Sequence, residues 1–111
     1  KEAQEILARV EAALAKGLYR DPDLTLQRLA RRTGLTARKI SQAVNQARGC
    51  SVSDLVNGYR VREAMRLLKE SDQTVTQVML DAGFQTKSNF NRAFRAFAGQ
   101  TPTAYRRSES G

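Results

Sequence analysis

The stretch that decides the fold is residues 74–99, which read TVTQVMLDAGFQTKSNFNRAFRAFAG. Apolar residues recur in it at spacings of three and four, the pattern of helices with one buried face. Thr74 and Gln77 have the spacing of a capping box, which predicts that a helix begins there. Gly83 interrupts the pattern, and glycine adopts the left-handed backbone conformation without strain. The stretch therefore predicts a short helix, a glycine turn and a longer helix that ends at Gly99.

The same pattern occurs earlier in the chain, in residues 25–49, which read TLQRLARRTGLTARKISQAVNQARG. Its key positions lie 49 residues before their counterparts up to the turn and 50 residues before them afterwards. The matched pairs are Leu26 with Val75, Leu29 with Val78, Ala30 with Met79, Gly34 with Gly83, Leu35 with Phe84, Ile40 with Phe90, Val44 with Phe94 and Gly49 with Gly99. Two such copies predict two helix-turn-helix units, in each of which the second helix enters the major groove of DNA.

A longer helix is predicted between the two copies. Ser51 and Asp54 form a capping box that opens it, and it extends to about Glu70. At 1.5 Å per residue, such a helix is roughly 25 Å long. Recognition helices held at its two ends would approach the ~34 Å between successive major grooves on one face of B-form DNA. Gly58 lies inside this helix, where it costs about 1 kcal/mol relative to alanine, so we expect close packing there.

These elements predict an all-α fold of about seven helices, with two helix-turn-helix subdomains joined by a central linker helix. We expect residues 1–111 to form a single domain. Its segments are a leading helix and turn at 1–24, the first helix-turn-helix at 25–49, the linker helix at 51–70, the second helix-turn-helix at 74–99 and a terminal helix at 101–107. The aromatic spacing predicts core positions, not base-stacking platforms, for Phe84, Phe90, Phe94, Phe97 and Tyr105.

The chain is strongly basic, with 19 Lys and Arg against 11 Asp and Glu and a net charge of +8. Residues 1–24 carry four basic and five acidic side chains, whereas residues 25–111 carry fifteen basic and six acidic ones. The excess of positive charge therefore lies on the paired motifs. It predicts a polyanionic partner, either nucleic acid or an anionic membrane surface.

Composition argues against several function classes. The chain contains no histidine, and its one cysteine, Cys50, has no partner for a disulfide or a multi-cysteine metal site. The sequence therefore predicts no enzyme, no catalytic residue, no metal site and no cofactor, and it leaves the role of Cys50 open. No apolar run is long enough to span a membrane, so we expect no membrane contact from this segment. Because the chain starts at Lys1 and not at Met, we expect it to be a fragment.

Residues 83–95, together with Gly99-Gln100-Thr101-Pro102 and Tyr105-Arg106, resemble the signature of the AraC/XylS-type bacterial transcription regulators. The resemblance covers about residues 23–107. It implies sequence-specific binding of double-stranded DNA, with two recognition helices in successive major grooves. It also implies an N-terminal sensor or effector domain outside this chain and RNA polymerase as a further partner. The implied location is cytoplasmic and nucleoid-associated, while a membrane tether upstream stays open.

The chain departs from the family pattern at three positions. The family usually has Phe where Val44 stands, Lys or Arg where Asn45 stands, and Ala where Met79 stands. These departures imply a smaller core and one phosphate contact fewer in the first unit, and a slightly wider helix crossing in the second.

The outward residues of the second helix in each copy are the candidates for base contacts: Arg38, Ser41, Gln42, Asn45, Lys87, Ser88, Asn89 and Arg92. Arginine can form two hydrogen bonds with guanine, and glutamine and asparagine can do so with adenine. The candidates for phosphate contacts are Thr36, Lys39, Thr74, Thr86 and Arg95. On the linker helix we expect Arg60, Arg62 and Arg66 to be solvated or ion-paired, with Glu63 or Glu70 as the partners of Arg62 or Arg66.

An alternative function is non-specific binding of nucleic acid or of an anionic membrane by a basic helical protein. It predicts cations spread around every helix. The second helix of each copy instead mixes Arg and Lys with Gln, Asn and Ser, which favours base recognition.

Overall fold

The computed structural model describes residues 2–108, which form seven α-helices and no strand. The helices are α1 (Glu2–Ala15), α2 (Leu26–Thr33), α3 (Ala37–Arg48), α4 (Val52–Glu70), α5 (Val75–Asp81), α6 (Lys87–Ala98) and α7 (Pro102–Arg107), and a 3-10 turn at Leu18–Arg20 follows α1. The predicted all-α fold, with two helix-turn-helix units and a linker helix, is confirmed.

The packing divides the chain within α4. The first compact unit ends at Val56 and the second begins at Asn57. Each unit contains one short helix, a turn and one longer helix, α2 and α3 in the first and α5 and α6 in the second. The organisation of residues 1–111 as a single domain stays a prediction.

The first unit is built around α1, which packs chiefly against α3. Val10 and Leu14 of α1, and Val44 of α3, have no exposed surface. Burying an aliphatic side chain of this kind contributes about 1.5–3 kcal/mol. At the surface, an ion pair of 2.8 Å between Arg48 Nη2 and Glu11 Oε2 joins the same two helices. The leading segment therefore supplies one wall of the core beneath the first recognition helix.

The second unit has an aromatic core. The ring of Phe84, in the turn after α5, lies 5.2 Å from that of Phe90, and the rings of Phe90 and Phe94 lie 5.8 Å apart. Phe94 in turn meets Tyr105 of α7 edge-on at 5.7 Å. Tilted and edge-to-face pairs of this kind add about 0.5–1.5 kcal/mol each beyond the area they bury. This row of rings holds α6 against its neighbours.

The glycine turns lie where the sequence predicts them. Gly34 has φ of +75° and Gly83 has φ of +105°, a region of backbone space that other residues rarely occupy. In the first turn, the N–H groups of Gly34 and Leu35 both donate to the Ala30 carbonyl oxygen, at 2.9 and 3.2 Å. The turn thereby closes the end of α2 and directs the chain into α3.

The prediction that Phe97 belongs to the core is wrong. Its side chain is 51% exposed, because it lies in the last turn of α6, beyond the buried stripe. One edge of the ring lies over Gly58 of α4, where an added Cβ would come within 3.3 Å of the ring. The close packing expected at Gly58 is therefore confirmed, with Phe97 as the neighbour.

Candidate nucleic-acid interface

The interface is built from helices whose starts are defined by threonine caps. The hydroxyl oxygen of Thr36 accepts a hydrogen bond from the Lys39 N–H at 3.2 Å, and that of Thr86 accepts one from the Asn89 N–H at 3.2 Å. Thr74 caps α5 in the same way, through the Gln77 N–H at 3.1 Å. The cap uses the hydroxyl as an acceptor, so its proton can still be donated to a phosphate oxygen. The first N–H groups of each helix also favour an anion at this end.

All predicted contact residues lie on exposed surface. The base-contact candidates Arg38, Ser41, Gln42 and Asn45 lie on α3, and Lys87, Ser88, Asn89 and Arg92 lie on α6. The exposed phosphate-contact candidates are Thr36, Lys39, Thr74, Thr86 and Arg95. Their roles in contacting bases or phosphates stay predictions.

The exposed face of α3 is a polar stripe. Arg38, Ser41, Gln42 and Asn45 follow one another at spacings of three, one and three residues, which places them along one side of the helix. The opposite side is buried and apolar, formed by Ile40, Ala43 and Val44. The core therefore determines which side chains of α3 face outward.

The α6 helix repeats this arrangement with a different set of polar side chains. Lys87, Asn89, Arg92 and Arg95 are exposed, whereas Phe90, Ala93 and Phe94 are buried. Among the candidates, only Asn89 and Arg92 are joined to each other by a side-chain hydrogen bond: the Arg92 Nη2 donates to the Asn89 Oδ1 at 2.8 Å.

The predicted contact cations on the two recognition helices differ electrostatically from the cations on the linker helix and from Arg48 at the end of α3, which pairs with Glu11. Within residues 2–108, no carboxylate forms an ion pair with Arg38, Lys39, Lys87 or Arg95. Their charge is therefore available to attract a polyanion.

On α4, by contrast, the cations already have partners. Arg66 pairs with Glu63 at 2.7 Å and with Glu70 at 3.1 Å. Hydrogen bonds to these two carboxylates raise the pKa of Arg66 further above its ordinary value. The expected ion pairing is thus confirmed for Arg66, whereas Arg62 places its guanidinium 4.7 Å from the centre of the Tyr59 ring.

One residue of the α3 surface was missed by the sequence reasoning. Gln46 is exposed and, with Ser41, Gln42 and Asn45, lines a shallow depression on α3. It lies four residues after Gln42, so the helical period would have placed it beside the other candidates. Its amide offers the same paired donor and acceptor as Gln42.

Residues 2–108 contain neither a membrane-spanning helix nor a cluster of metal-ligating side chains. None of the helices there is both long and apolar enough to cross a membrane. Over the same residues, no group of three or more acidic, cysteine or histidine side chains is placed to hold a metal ion.

Comparisons with known proteins agree with this geometry. A family model described as a helix-turn-helix domain matches residues 29–108. The chain is 33% identical over 103 residues to the transcriptional activator NphR of Rhodococcus sp, covering 93% of this chain and 30% of NphR.

Solved structures are similar as well. A probable AraC family transcriptional regulator from Rhodopseudomonas palustris has a TM-score of 0.79 and 27% identity, over 91% of this chain and 94% of that one. The DNA-binding domain of the global transcriptional factor AdpA, in complex with a target DNA, has a TM-score of 0.78 and 29% identity, over 90% and 88%. This chain spans less than a third of the length of the curated relatives it matches.

Proposed function

Because the chain belongs to the AraC/XylS family of helix-turn-helix transcription regulators, we propose that it binds double-stranded DNA sequence-specifically as the output domain of a longer bacterial regulator. The observation that carries this proposal is the pair of exposed polar faces on α3 and α6, on which Arg38, Lys39, Lys87 and Arg95 have no carboxylate partner among the described residues. The proposal includes no catalytic step.

Each group in the interface has a distinct part in binding. Unpaired cations attract the phosphate backbone, a contribution that is independent of sequence and falls with salt concentration. The capping threonines and Arg95 position the helices by contacting phosphates, which carry no sequence information. The amides on α3 and the guanidinium groups of Arg38 and Arg92 then distinguish bases in the major groove.

The proposal assigns one recognition helix of each unit to each of two successive major grooves. The repeated motif supports it, because each unit carries its own capped recognition helix with an outward polar stripe. By analogy with the AraC/XylS family, the proposal also includes an N-terminal sensor or effector domain in the whole protein, a cytoplasmic location and RNA polymerase as a partner.

Titration of the chain with selected and random duplexes at matched salt concentrations tests this function. Specific sites are expected to bind about 10³-fold or more tightly than random DNA. Equal affinity for all duplexes would overturn the proposal and favour a non-specific basic binder. Footprinting on a selected site should protect two neighbouring major grooves, and protection of one groove would contradict the two-groove assignment.

A further inference from the structure

The hydrogen bond between Arg92 and Asn89 distinguishes the α6 surface from the α3 surface. Both side chains are exposed, and the bond is 2.8 Å long. The equivalent positions in the first unit, 50 residues earlier, hold Lys39 and Gln42, whose side chains are not joined. Within the described residues, no other side-chain hydrogen bond joins two residues of α3 or two of α6.

This bond determines where the Arg92 donors lie on the α6 surface. The Asn89 carbonyl oxygen accepts this bond with one of its two lone pairs, and the bond holds the Arg92 guanidinium beside the amide. Arg92 carries donors and no acceptor. In the major groove, guanine presents two acceptors, N7 and O6, whereas adenine presents one acceptor and one donor.

We propose that Asn89 is a positioning residue that holds Arg92 ready to recognise guanine, and that the second unit is therefore the more base-selective of the two. The inference rests on the proposed function. Holding a long side chain before binding reduces the entropy lost when it meets its base. In the first unit, the amides of Gln42 and Asn45 offer a donor and an acceptor side by side, which match adenine.

Site selection from a pool of duplexes tests this inference with the complete 111-residue chain. Arg92→Ala locates the base pair concerned, since the guanine preference there disappears in that variant. Asn89→Ala is expected to lower the guanine preference at the same base pair about two- to tenfold, because Arg92 is no longer held. Asn89→Asp keeps an oxygen acceptor and should keep the guanine preference while binding every duplex more weakly.

Lys39→Ala is the matched control, because it alters the equivalent position in the first unit without breaking a side-chain hydrogen bond. It should weaken binding to all duplexes alike and leave every base preference unchanged. The backbone N–H of Asn89 still reaches the Thr86 cap in each Asn89 variant, so α6 should begin as before. Thermal unfolding followed by circular dichroism checks that the variants are folded.

The outcomes separate the two levels of inference. If folded Asn89→Ala keeps the full guanine preference, the positioning role is wrong although sequence-specific binding stands. If it changes the preferred base to another one, Asn89 itself contacts a base and the positioning role is also wrong. If the unaltered chain shows no preference among duplexes, the proposed function fails first.

Discussion

The two helix-turn-helix units share a backbone pattern but are stabilised differently. The first buries Val44 on α3, and the second buries Phe94 at the matching position on α6. Because valine fills less volume than phenylalanine and protein cores are close-packed, the first unit needs further apolar surface. It obtains that surface from α1, whereas the second packs the Phe94 ring against Tyr105 of α7. The recognition helices are therefore held by different supporting helices.

The polar contacts around the two cores also join different pairs of helices. In the first unit, the exposed ion pair between Arg48 and Glu11 joins α3 to α1. In the second, Arg106 of α7 donates to the carbonyl oxygens of Leu68 at 3.0 Å and Ser71 at 3.2 Å, at the end of α4. Carbonyls at a helix end lack partners within the helix, and a cation there is favourable. In the second unit, the Arg106 side chain therefore satisfies backbone carbonyl groups at the C-terminal end of α4.

The largest expected effect is on the aromatic core. Phe94→Ala should lower the free energy of unfolding by about 3–5 kcal/mol, since it removes a fully buried ring. Denaturant unfolding followed by circular dichroism measures this. The matched control is Phe97→Ala on the same helix, which should cost less than about 1.5 kcal/mol because its ring is half exposed. Equal losses for the two variants would contradict the division of α6 into a buried and an exposed aromatic.

The next effect concerns the dependence of the first unit on α1. Leu14→Ala should destabilise the chain by about 2–5 kcal/mol, because Leu14 is fully buried. In the Leu14→Ala variant, the rate of amide hydrogen exchange should increase more in α3 than in α6. Equal loss in both helices would show that the two cores do not respond separately to the substitution.

Two arginines of α6 have different predicted roles: Arg92 contacts a base, and Arg95 contacts a phosphate. Arg92→Ala should cost about 1–3 kcal/mol of binding free energy and relax the preference at one base pair. Arg95→Ala should weaken binding to all duplexes alike and reduce the salt dependence by about one phosphate contact. Titrations at several salt concentrations measure both effects. A uniform loss for Arg92→Ala would reject its assignment as a base contact.

The smallest effect is a pH dependence of the second unit. Hydrogen bonds from Gln73 and then Gln77 lower the pKa of Asp81 below its ordinary value of 3.8. A lowered pKa in the folded state contributes stability that is present above the unfolded pKa and is lost as pH falls through the folded one. The unfolding free energy should therefore fall less in acid for Asp81→Asn than for the unaltered chain. A matching change in Asp72→Asn, which lacks these two bonds, would contradict the assignment to Asp81.

Local features of this fold were accessible from sequence, and long-range ones were not. The caps at Thr36 and Thr86 and the turns at Gly34 and Gly83 depend on residues within a few positions of one another. Phe97 is the residue whose burial was predicted wrongly. Its spacing matches the buried stripe of α6, yet the helix ends one residue later and the ring lies over Gly58. Helical period specifies a direction around the axis but not where the core stops.

The features of the interface also divide into those that the sequence predicts from local spacing and those that depend on tertiary packing. Composition and period alone placed the polar stripes on α3 and α6, because apolar residues must be buried and their opposite faces must then be exposed. Local spacing likewise indicated that Arg66 is ion-paired, because Glu63 and Glu70 lie three residues before it and four after it on α4. Only tertiary packing joined Arg48 to Glu11 and brought Arg106 to the end of α4. Those contacts join side chains to groups far away in the sequence, and a one-dimensional pattern holds no information on which distant residues meet.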